Sequence, residues 1–339
     1  MQERQPTRHN ALNALRLLLA ALVIVTHTDT VLGRADFRVA GDTLGGWAVA
    51  GFFAISGFLV AGSRGRTSLA DYLRRRALRI MPGYWACCLV IAFGLAPLLA
   101  ALTAQRWDLG SALGYVLRNG ALVQVQPGIE GTLTSAAYPG TWNLSAWTLI
   151  YEFTAYVVLG LLLPRTTGRW ALPGAAALLV GATILSAPRF KAVVPYEVFT
   201  FGRLGTFFFA GAVLYVLGRR VAWTPWLAAL AVLALGALAS TSRLTWFGAL
   251  PLAYLLLWLG RVLPVRVGSV NDISYGVYLY GFPVQQCLAT FWPQAPPALF
   301  VPAVLACVLP LAWLSWRFVE RPAMRWRGRA PAPAALPAR

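Results

Sequence analysis

Residues 11–28 read Ala-Leu-Asn-Ala-Leu-Arg-Leu-Leu-Leu-Ala-Ala-Leu-Val-Ile-Val-Thr-His-Thr, an apolar run that contains Arg16 and ends close to His27. The run has about the length that a helix needs to cross the apolar core of a bilayer. His27 follows Arg16 by three helical turns, so both side chains fall within about 20° of one helix face, roughly 16 Å apart along the axis. Because an arginine in a membrane span costs roughly 2.5 kcal/mol or more, the pair predicts a functional site inside a transmembrane helix.

Each of the two polar residues also has a structural explanation at this point. Arg16 lies close enough to the end of the run for its side chain to reach the lipid headgroups. His27 could be an ordinary histidine at the membrane interface. We favour the functional interpretation because the two side chains share one face of one helix.

The overall composition is that of a membrane protein with many spans. Of the 339 residues, 58% are hydrophobic and only 12% are charged, and the mean hydropathy is +0.63. A soluble globular core does not require so much apolar sequence. The composition predicts an all-α polytopic bundle of about ten transmembrane helices, over residues 11–29, 43–63, 80–104, 143–164, 171–187, 196–218, 223–240, 244–263, 271–292 and 297–317.

The positions of the basic residues predict the orientation of the chain. With a cytoplasmic N-terminus, most of the 29 Lys and Arg residues fall on the inner side, as the positive-inside rule requires. We therefore expect both termini in the cytoplasm. The net charge of +18 then reflects topology and contact with anionic membrane lipids. We expect no nucleic-acid partner, because the sequence offers no soluble basic face.

The cysteines and histidines give no sign of a metal site. The four cysteines all lie within predicted spans and lack the spacing of metal ligands or of a disulfide framework. With only two histidines in the chain, a histidine-rich metal centre is excluded. We expect no metal.

A cluster of arginines lies where the third predicted span enters the membrane, within Tyr72-Leu-Arg-Arg-Arg-Ala-Leu-Arg79. On a helix, Arg76 and Arg79 project to one side, with Arg75 beside them. The simplest interpretation is anchoring at the inner surface of the membrane. The alternative is a clamp for phosphate groups, which would suit a cytoplasmic phosphorylated donor such as a nucleotide or coenzyme A.

Two further polar residues lie within predicted spans. Glu152 falls close to mid-bilayer in the fourth span, where a carboxylate must be paired, protonated or in contact with water. It is either half of a structural ion pair, with Arg16 or Arg203 as the available cation, or a catalytic carboxylate. Ser56 lies among small residues of the second span, which helix packing largely explains. A direct contact with substrate is the alternative for Ser56.

The ninth predicted span carries polar side chains around Pro283. A proline breaks the helical hydrogen-bond ladder, and such irregular backbone is tolerated in a membrane only where it lines a cavity or is buried in protein. Tyr278, Tyr280, Gln285 and Gln286 lie near this position, so we expect them to face the interior of the bundle.

In order along the chain, these segments resemble the acyltransferase-3 family of integral-membrane O-acyltransferases, which acylate surface polysaccharides and related acceptors. Arg16 and His27 resemble the arginine and histidine signature of its first span. Each of the other motifs is weak alone, but together they cover nearly the whole chain: Phe52–Leu59, Arg76–Arg79, Asn143–Glu152, Ile273–Val284 and Phe318–Pro322.

The resemblance implies a membrane acyltransferase domain over residues 1–325, in the bacterial cytoplasmic membrane, followed by a Pro/Ala/Arg-rich cytoplasmic tail at 326–339. It implies acyl-CoA, most simply acetyl-CoA, as co-substrate, and a cell-surface glycan or lipid-linked sugar as acceptor. His27 would be the general base or a transient acyl carrier, with Arg16 and Glu152 as the other catalytic residues. The donor-binding residues would be Arg75, Arg76, Arg79 and Ser56.

Two alternatives to this function stay open from the sequence. The acceptor could be a secreted glycosylated metabolite such as a macrolide. From another functional class, the chain could be a glycan or lipid transporter, whose buried charges line a path without covalent chemistry. Against a transporter, we find no repeated halves in the sequence. The length of the acyl chain and the oligomeric state are not determined by the sequence.

Overall fold

The computed structural model describes residues 11–241, 243–265, 267 and 271–326. The fold is all-α, as the composition predicts. Among these residues, the only paired strands are the two-residue β1 (Arg38–Val39) and β2 (Asp42–Thr43), which run antiparallel. The α-helices, in chain order, are α1 (Leu12–Val31), α2 (Leu44–Arg64), α3 (Leu69–Val90), α4 (Ala96–Leu102), α5 (Leu109–Asn119), α6 (Thr148–Leu162), α7 (Ala171–Leu185), α8 (Tyr196–Leu217), α9 (Pro225–Ser240), α10 (Leu244–Phe247), α11 (Ala249–Val262), α12 (Ser274–Phe291), α13 (Pro297–Ser315) and α14 (Arg321–Arg325).

Several of these helices are joined or preceded by shorter helical turns. The π-helical turn Ile91–Leu95 continues α3 into α4, and Trp316–Glu320 continues α13 into α14. The 3-10 turn Leu144–Trp147 leads into α6, while Pro188–Phe190 and Gly218–Arg220 lie on either side of α8. The two π-helical turns therefore join pairs of helices into the long segments Leu69–Leu102 and Pro297–Arg325.

Within the described residues, six helical segments are long and apolar enough to cross a membrane: Leu12–Val31, Leu44–Arg64, Leu69–Leu102, Leu144–Leu162, Tyr196–Leu217 and Pro297–Arg325. The shorter apolar helices α7, α9 and α11 coincide with three more of the predicted spans. The count of ten spans and the cytoplasmic position of both termini stay predictions. Residues 1–10 and the predicted tail, apart from Trp326, lie outside the described residues.

The helix that carries the third predicted span extends beyond the apolar run on its N-terminal side. The helix begins at Leu69 rather than at residue 80, because the Ser68 side chain caps it by accepting a hydrogen bond from the backbone N–H of Asp71 (3.2 Å). Such a cap satisfies one of the free N–H groups of a first helical turn. The arginine cluster is therefore carried on a helix and has a fixed geometry.

Helices α2 and α8 approach each other closely through glycines. A Cβ atom added at Gly57 would collide with the carbonyl oxygen of Phe208, and one added at Gly211 would collide with the carbonyl oxygen of Ala54. Small residues allow helix backbones to come this close in membrane proteins. The packing role predicted for the small residues of the second span is confirmed here.

Helix α12 lies in the interior of the bundle, with every residue from Ser274 to Gln286 buried. Gln285 Nε2 donates to the carbonyl of Ile24 (2.8 Å) and to Thr28 Oγ1 (3.0 Å) on α1. Gln286 Nε2 donates to two carbonyls of the segment that precedes α6. The polar residues around Pro283 are thus buried in protein, as expected, and they tie α12 to its neighbours.

Candidate active site

Four ionisable side chains meet in the interior of the bundle. Arg16 Nη1 lies 2.7 Å from Asp272 Oδ2, and Arg79 Nη2 lies 2.6 Å from the same oxygen. Arg79 Nη1 also contacts Glu320 Oε2 at 3.2 Å. The exposed fraction of these side chains is 15% or less, and only 1% for Glu320. We call these four residues the buried charge cluster; it links α1, α3, the start of α12 and the π-helical turn before α14.

Hydrogen bonds and aromatic rings complete the surroundings of the cluster. Ser274 Oγ donates to Asp272 Oδ1 (2.6 Å), and Ser315 Oγ donates to Glu320 Oε1 (3.2 Å). The guanidinium of Arg79 lies 5.6 Å from the ring centre of Tyr275. Each of these buried charges has a counterion, and the two carboxylates accept further hydrogen bonds from serine hydroxyls, which lowers the cost of burying them.

The arginines predicted to bind the donor differ in their partners. Arg79 is occupied by two carboxylates, so it does not form a free fork with Arg76. Among the described residues, Arg76 has no carboxylate partner; its guanidinium lies 5.9 Å from the ring centre of Tyr156. The Nε atoms of Arg75 and Arg76 are buried and make no hydrogen bond within the described part of the chain. The structure thus gives Arg76 and Arg79 different partners, and binding of the donor by these arginines stays a prediction.

Glu152 is held by hydroxyl groups and not by an arginine. Ser56 Oγ donates to Glu152 Oε1 at 2.8 Å, and the hydroxyl of Tyr156 donates to the same oxygen. Of the two cations that the sequence offered as ion-pair partners, Arg16 pairs with Asp272 and Arg203 pairs with Asp42. The predicted ion pair is thus replaced by a hydrogen-bonded triad of Glu152, Ser56 and Tyr156.

Two small cavities adjoin in the middle of the bundle, and both are lined by Arg16, Glu152 and Tyr275. The first, the arginine cavity, has a volume of about 60 Å³, and its other lining residues are Ser56, Leu59, Val60, Arg76, Arg79, Ile80 and Tyr156. The second, the phenylalanine cavity, has a volume of about 30 Å³, and its other lining residues are Val49, Phe52, Phe53, Thr148, Leu149 and Tyr278. Five of the predicted site residues therefore line one or both of these neighbouring cavities: Arg16, Ser56, Arg76, Arg79 and Glu152.

His27 lies beyond these cavities. Its ring packs edge-on against Phe282, with 5.2 Å between ring centres, and Phe282 is fully buried. His27 Nδ1 is buried and has no hydrogen-bond partner within the described residues. Among the described residues that line the two cavities, neither His27 nor Arg75 is found. Tyr278 lines the phenylalanine cavity, and Phe282, which contacts His27, lies one helical turn further along α12. Measured along the α12 axis, His27 is therefore roughly 6 Å from this cavity.

Asp272 and Glu320 are the residues that the sequence analysis missed. Both belong to or adjoin segments that carry the family resemblance, Ile273–Val284 and Phe318–Pro322. One feature of the sequence pointed to them. Arg16 and Arg203 lie within predicted spans, and a buried cation requires a carboxylate nearby. A search for acidic residues at the ends of other spans would have found them.

The chain matches a family of known proteins over most of its length. The sequence profile of the acyltransferase-3 family, described as "Acyltransferase domain", matches residues 9–317. The chain belongs to this family. The resemblance inferred from the motifs is confirmed.

Two relatives align with the acyltransferase over almost its full length. An "O-acetyl transferase" of Shigella phage Sf6 is 27% identical over 326 residues, which cover 93% of this chain and 96% of the relative. "Nodulation protein 10" of Rhizobium leguminosarum bv. viciae is 28% identical over 363 residues, which cover 96% of each chain. No solved structure matches the chain significantly. The family and the first relative together support O-acyl transfer as the reaction.

Proposed function

We propose that this acyltransferase moves an acetyl or another short acyl group from cytoplasmic acyl-CoA to a hydroxyl group of a surface glycan or lipid-linked sugar, in the bacterial cytoplasmic membrane. The observation that supports this most directly is the pair of adjoining cavities. Arg76 lines one of them, Arg16 and Glu152 line both, and Tyr278 of the second lies about one helical turn from Phe282, on which His27 packs.

The donor end of the site is assigned to the arginines of α3. Arg76 and Arg75 would contact the phosphates of acyl-CoA, because a guanidinium without a carboxylate partner is free to bind an oxyanion. Arg79 would position this end of the site through Asp272 and Glu320. Ser56 lines the same cavity and would fix Glu152 beside the passing thioester.

The acyl transfer itself is assigned to Arg16 and His27. The acceptor oxygen attacks the thioester carbonyl carbon while its proton passes to His27; the carbon–sulfur bond then breaks and the thiolate of coenzyme A leaves. A histidine suits this step because its ordinary pKa lies near neutral pH. Arg16, roughly 16 Å from His27 along the helix axis, would guide the arm that carries the thioester toward His27. In a two-step version, His27 carries the acyl group before the hydroxyl attacks.

The test uses the full-length protein in proteoliposomes with radiolabelled acetyl-CoA. We expect release of coenzyme A and transfer of label to an isolated surface glycan. His27→Ala should reduce the transfer by about 10²–10⁴-fold, the usual contribution of a general base. His9→Ala is the control, because His9 is the other histidine of the chain. Undiminished acylation by His27→Ala would remove His27 from the mechanism.

The acceptor class is tested separately, in a strain that lacks the gene. We expect its surface glycan to lose acyl groups and to regain them when the wild-type chain is supplied, but not when His27→Ala is supplied. An unchanged glycan, together with a soluble metabolite that loses its acyl group, would contradict the glycan assignment.

A further inference from the structure

Residues 137–141, in the segment between α5 and α6, lie across one end of the bundle; we call them the strap. Gln286 Nε2 on α12 donates to two backbone carbonyls of the strap, at 2.7 and 2.8 Å. A Cβ atom added at Gly33, just after the end of α1, would meet Ala137 Cβ at 3.4 Å. The strap is therefore held between the end of α1 and helix α12.

The strap lies beyond His27 as seen from the arginine cavity. Along α1, His27 follows Arg16 by roughly 16 Å, and Gly33 follows His27 by six residues. Along α12, Gln286 lies one helical turn, about 6 Å, beyond Phe282, on whose ring His27 packs. A molecule that approaches His27 from this end of the bundle therefore meets the strap, whereas the arginines of the donor end lie on the other side of His27.

Tyr138 of the strap brings an aromatic ring close to His27. Its ring centre lies 6.0 Å from that of Phe282, and the ring centre of His27 lies 5.2 Å from that of the same Phe282. The rings of Tyr138 and His27 are therefore at most about 11 Å apart, the sum of these two distances. The side chain of Tyr138 is half-buried, and its hydroxyl is accessible and has no hydrogen-bond partner within the described residues.

The accessible nitrogen of His27 and a carboxylate lie at the same end. Nδ1 of His27 is buried, whereas Nε2 is accessible and makes no hydrogen bond in the described part of the chain. Nε2 is thus the nitrogen that can take the proton of an acceptor hydroxyl. Thr30 Oγ1, three residues further along α1, donates to Asp36 Oδ1 at 3.0 Å. The Asp36 carboxylate is therefore fixed to the helical turn that follows His27.

These groups match the two kinds of surface that a sugar presents. A sugar ring has an apolar face of C–H groups and an edge of hydroxyl groups, and a tyrosine offers an apolar ring with a polar hydroxyl at its tip. A carboxylate accepts hydrogen bonds from hydroxyl groups. A lipid chain in this place would leave the hydroxyl of Tyr138 without a partner. The chemistry of this end of the bundle therefore favours a hydroxyl-rich ligand.

We propose that Tyr138 binds the sugar of the acceptor and holds it against the strap, so that one of its hydroxyl groups reaches Nε2 of His27. This inference rests on the proposed function, because it takes a glycan as the acceptor. It goes beyond that function by giving the acceptor a binding site and by naming the side chain that contacts it.

The experiment measures two KM values, for an isolated surface glycan and for radiolabelled acetyl-CoA, with the full-length protein in nanodiscs, where both faces of the membrane are accessible. Tyr138→Phe keeps the ring that packs on Phe282 and protects against a folding defect; it should raise the KM for the glycan by about 2–13-fold, the contribution of one hydrogen bond. Tyr138→Ala also removes the ring and should raise this KM by about 5–150-fold. Neither change should alter the KM for acetyl-CoA.

Tyr215→Phe and Tyr215→Ala are the matched controls. Tyr215 is also half-buried and packs edge-on against a phenylalanine, Phe58, with 5.5 Å between ring centres. It lies beside Gly62 near the C-terminal end of α2, whereas the N-terminal end of α2 is the one near His27. Both control variants should keep the wild-type KM for the glycan.

Two results would overturn the inference while leaving the proposed function intact. In the first, the wild type acetylates the glycan and Tyr138→Ala keeps the wild-type KM for it. In the second, the Tyr138 variants raise the KM for acetyl-CoA as much as the KM for the glycan, as a general loss of structure would. A wild-type protein that transfers no label to the glycan would overturn the glycan assignment of the proposed function and this inference with it.

Discussion

Asp272→Asn should strongly destabilise the protein, because it removes the carboxylate that two buried arginines share. Asparagine keeps the volume of the side chain and can still accept the hydrogen bond from Ser274. Arg79 retains Glu320, whereas Arg16 is left without a carboxylate within the described residues. Removing one partner of a buried pair costs about 3–5 kcal/mol, a large share of the roughly 5–15 kcal/mol that holds a typical domain folded. We expect a loss in that range.

The measurement is the free energy of unfolding of the purified protein, obtained by titrating mild-detergent micelles with a denaturing detergent. Asp71→Asn is the control, since Asp71 pairs with Arg74 at 3.9 Å with both side chains about half exposed. That change should cost about 0–1 kcal/mol, as exposed ion pairs do. Adding Arg16→Met to Asp272→Asn should recover part of the stability, because it removes the charge left without a partner. If Asp272→Asn costs no more than Asp71→Asn, the reasoning about the cluster is refuted.

Two other substitutions test the donor end and the helix packing. Arg76→Ala should raise the KM for acyl-CoA by about 10–100-fold in steady-state kinetics with a smaller change in kcat, because one charge-assisted hydrogen bond contributes about 1.5–3 kcal/mol. Arg74→Ala is the control and should leave the KM unchanged, because the Arg74 side chain is exposed. Equal effects of the two substitutions would contradict the assignment of Arg76 to the donor. Gly57→Ala should destabilise the protein by about 1–3 kcal/mol in the same unfolding titration, since its Cβ would collide with the carbonyl of Phe208. Gly236→Ala is the control, because a Cβ atom at this position meets nothing within 4 Å; it should leave the free energy of unfolding unchanged or raise it by up to about 1 kcal/mol. A similar loss of stability in both variants would contradict the close approach of α2 and α8.

The sequence was sufficient to find the polar residues of the site but not their partners. Arg16 and Glu152 stand out because an ionisable side chain inside an apolar run has few structural explanations. Both line the two central cavities. The small residues around Gly57 likewise indicated a close helix contact, and α2 makes that contact with α8. These inferences depend only on one segment at a time.

The pairing of charges depends on which segments fold together, and a single sequence does not reveal this. Arg16 and Asp272 are 256 residues apart in the chain, and Arg79 and Glu320 are 241 apart. Asp272 and Glu320 lie near the ends of their helical segments, where an acidic residue is usually solvated. They become buried only because α3 brings Arg79 between them. For Glu152 the sequence left open an ion pair with Arg16 or Arg203, and in the structure these arginines pair with Asp272 and Asp42 instead.

The same pairing decides which arginine can receive a polyanionic donor. In the buried charge cluster both arginines already have carboxyl partners, so they offer little uncompensated positive charge with which to attract phosphate. For Arg79 to bind a phosphate, Glu320, whose side chain is only 1% exposed, would have to lose its counterion inside the protein, at a cost of several kcal/mol. Arg76 has no such partner to give up among the described residues; it exchanges only a contact with the face of Tyr156, worth about 0.5–2 kcal/mol. We therefore expect the phosphates to bind at Arg76, while Arg79 keeps its carboxylates and holds the site together.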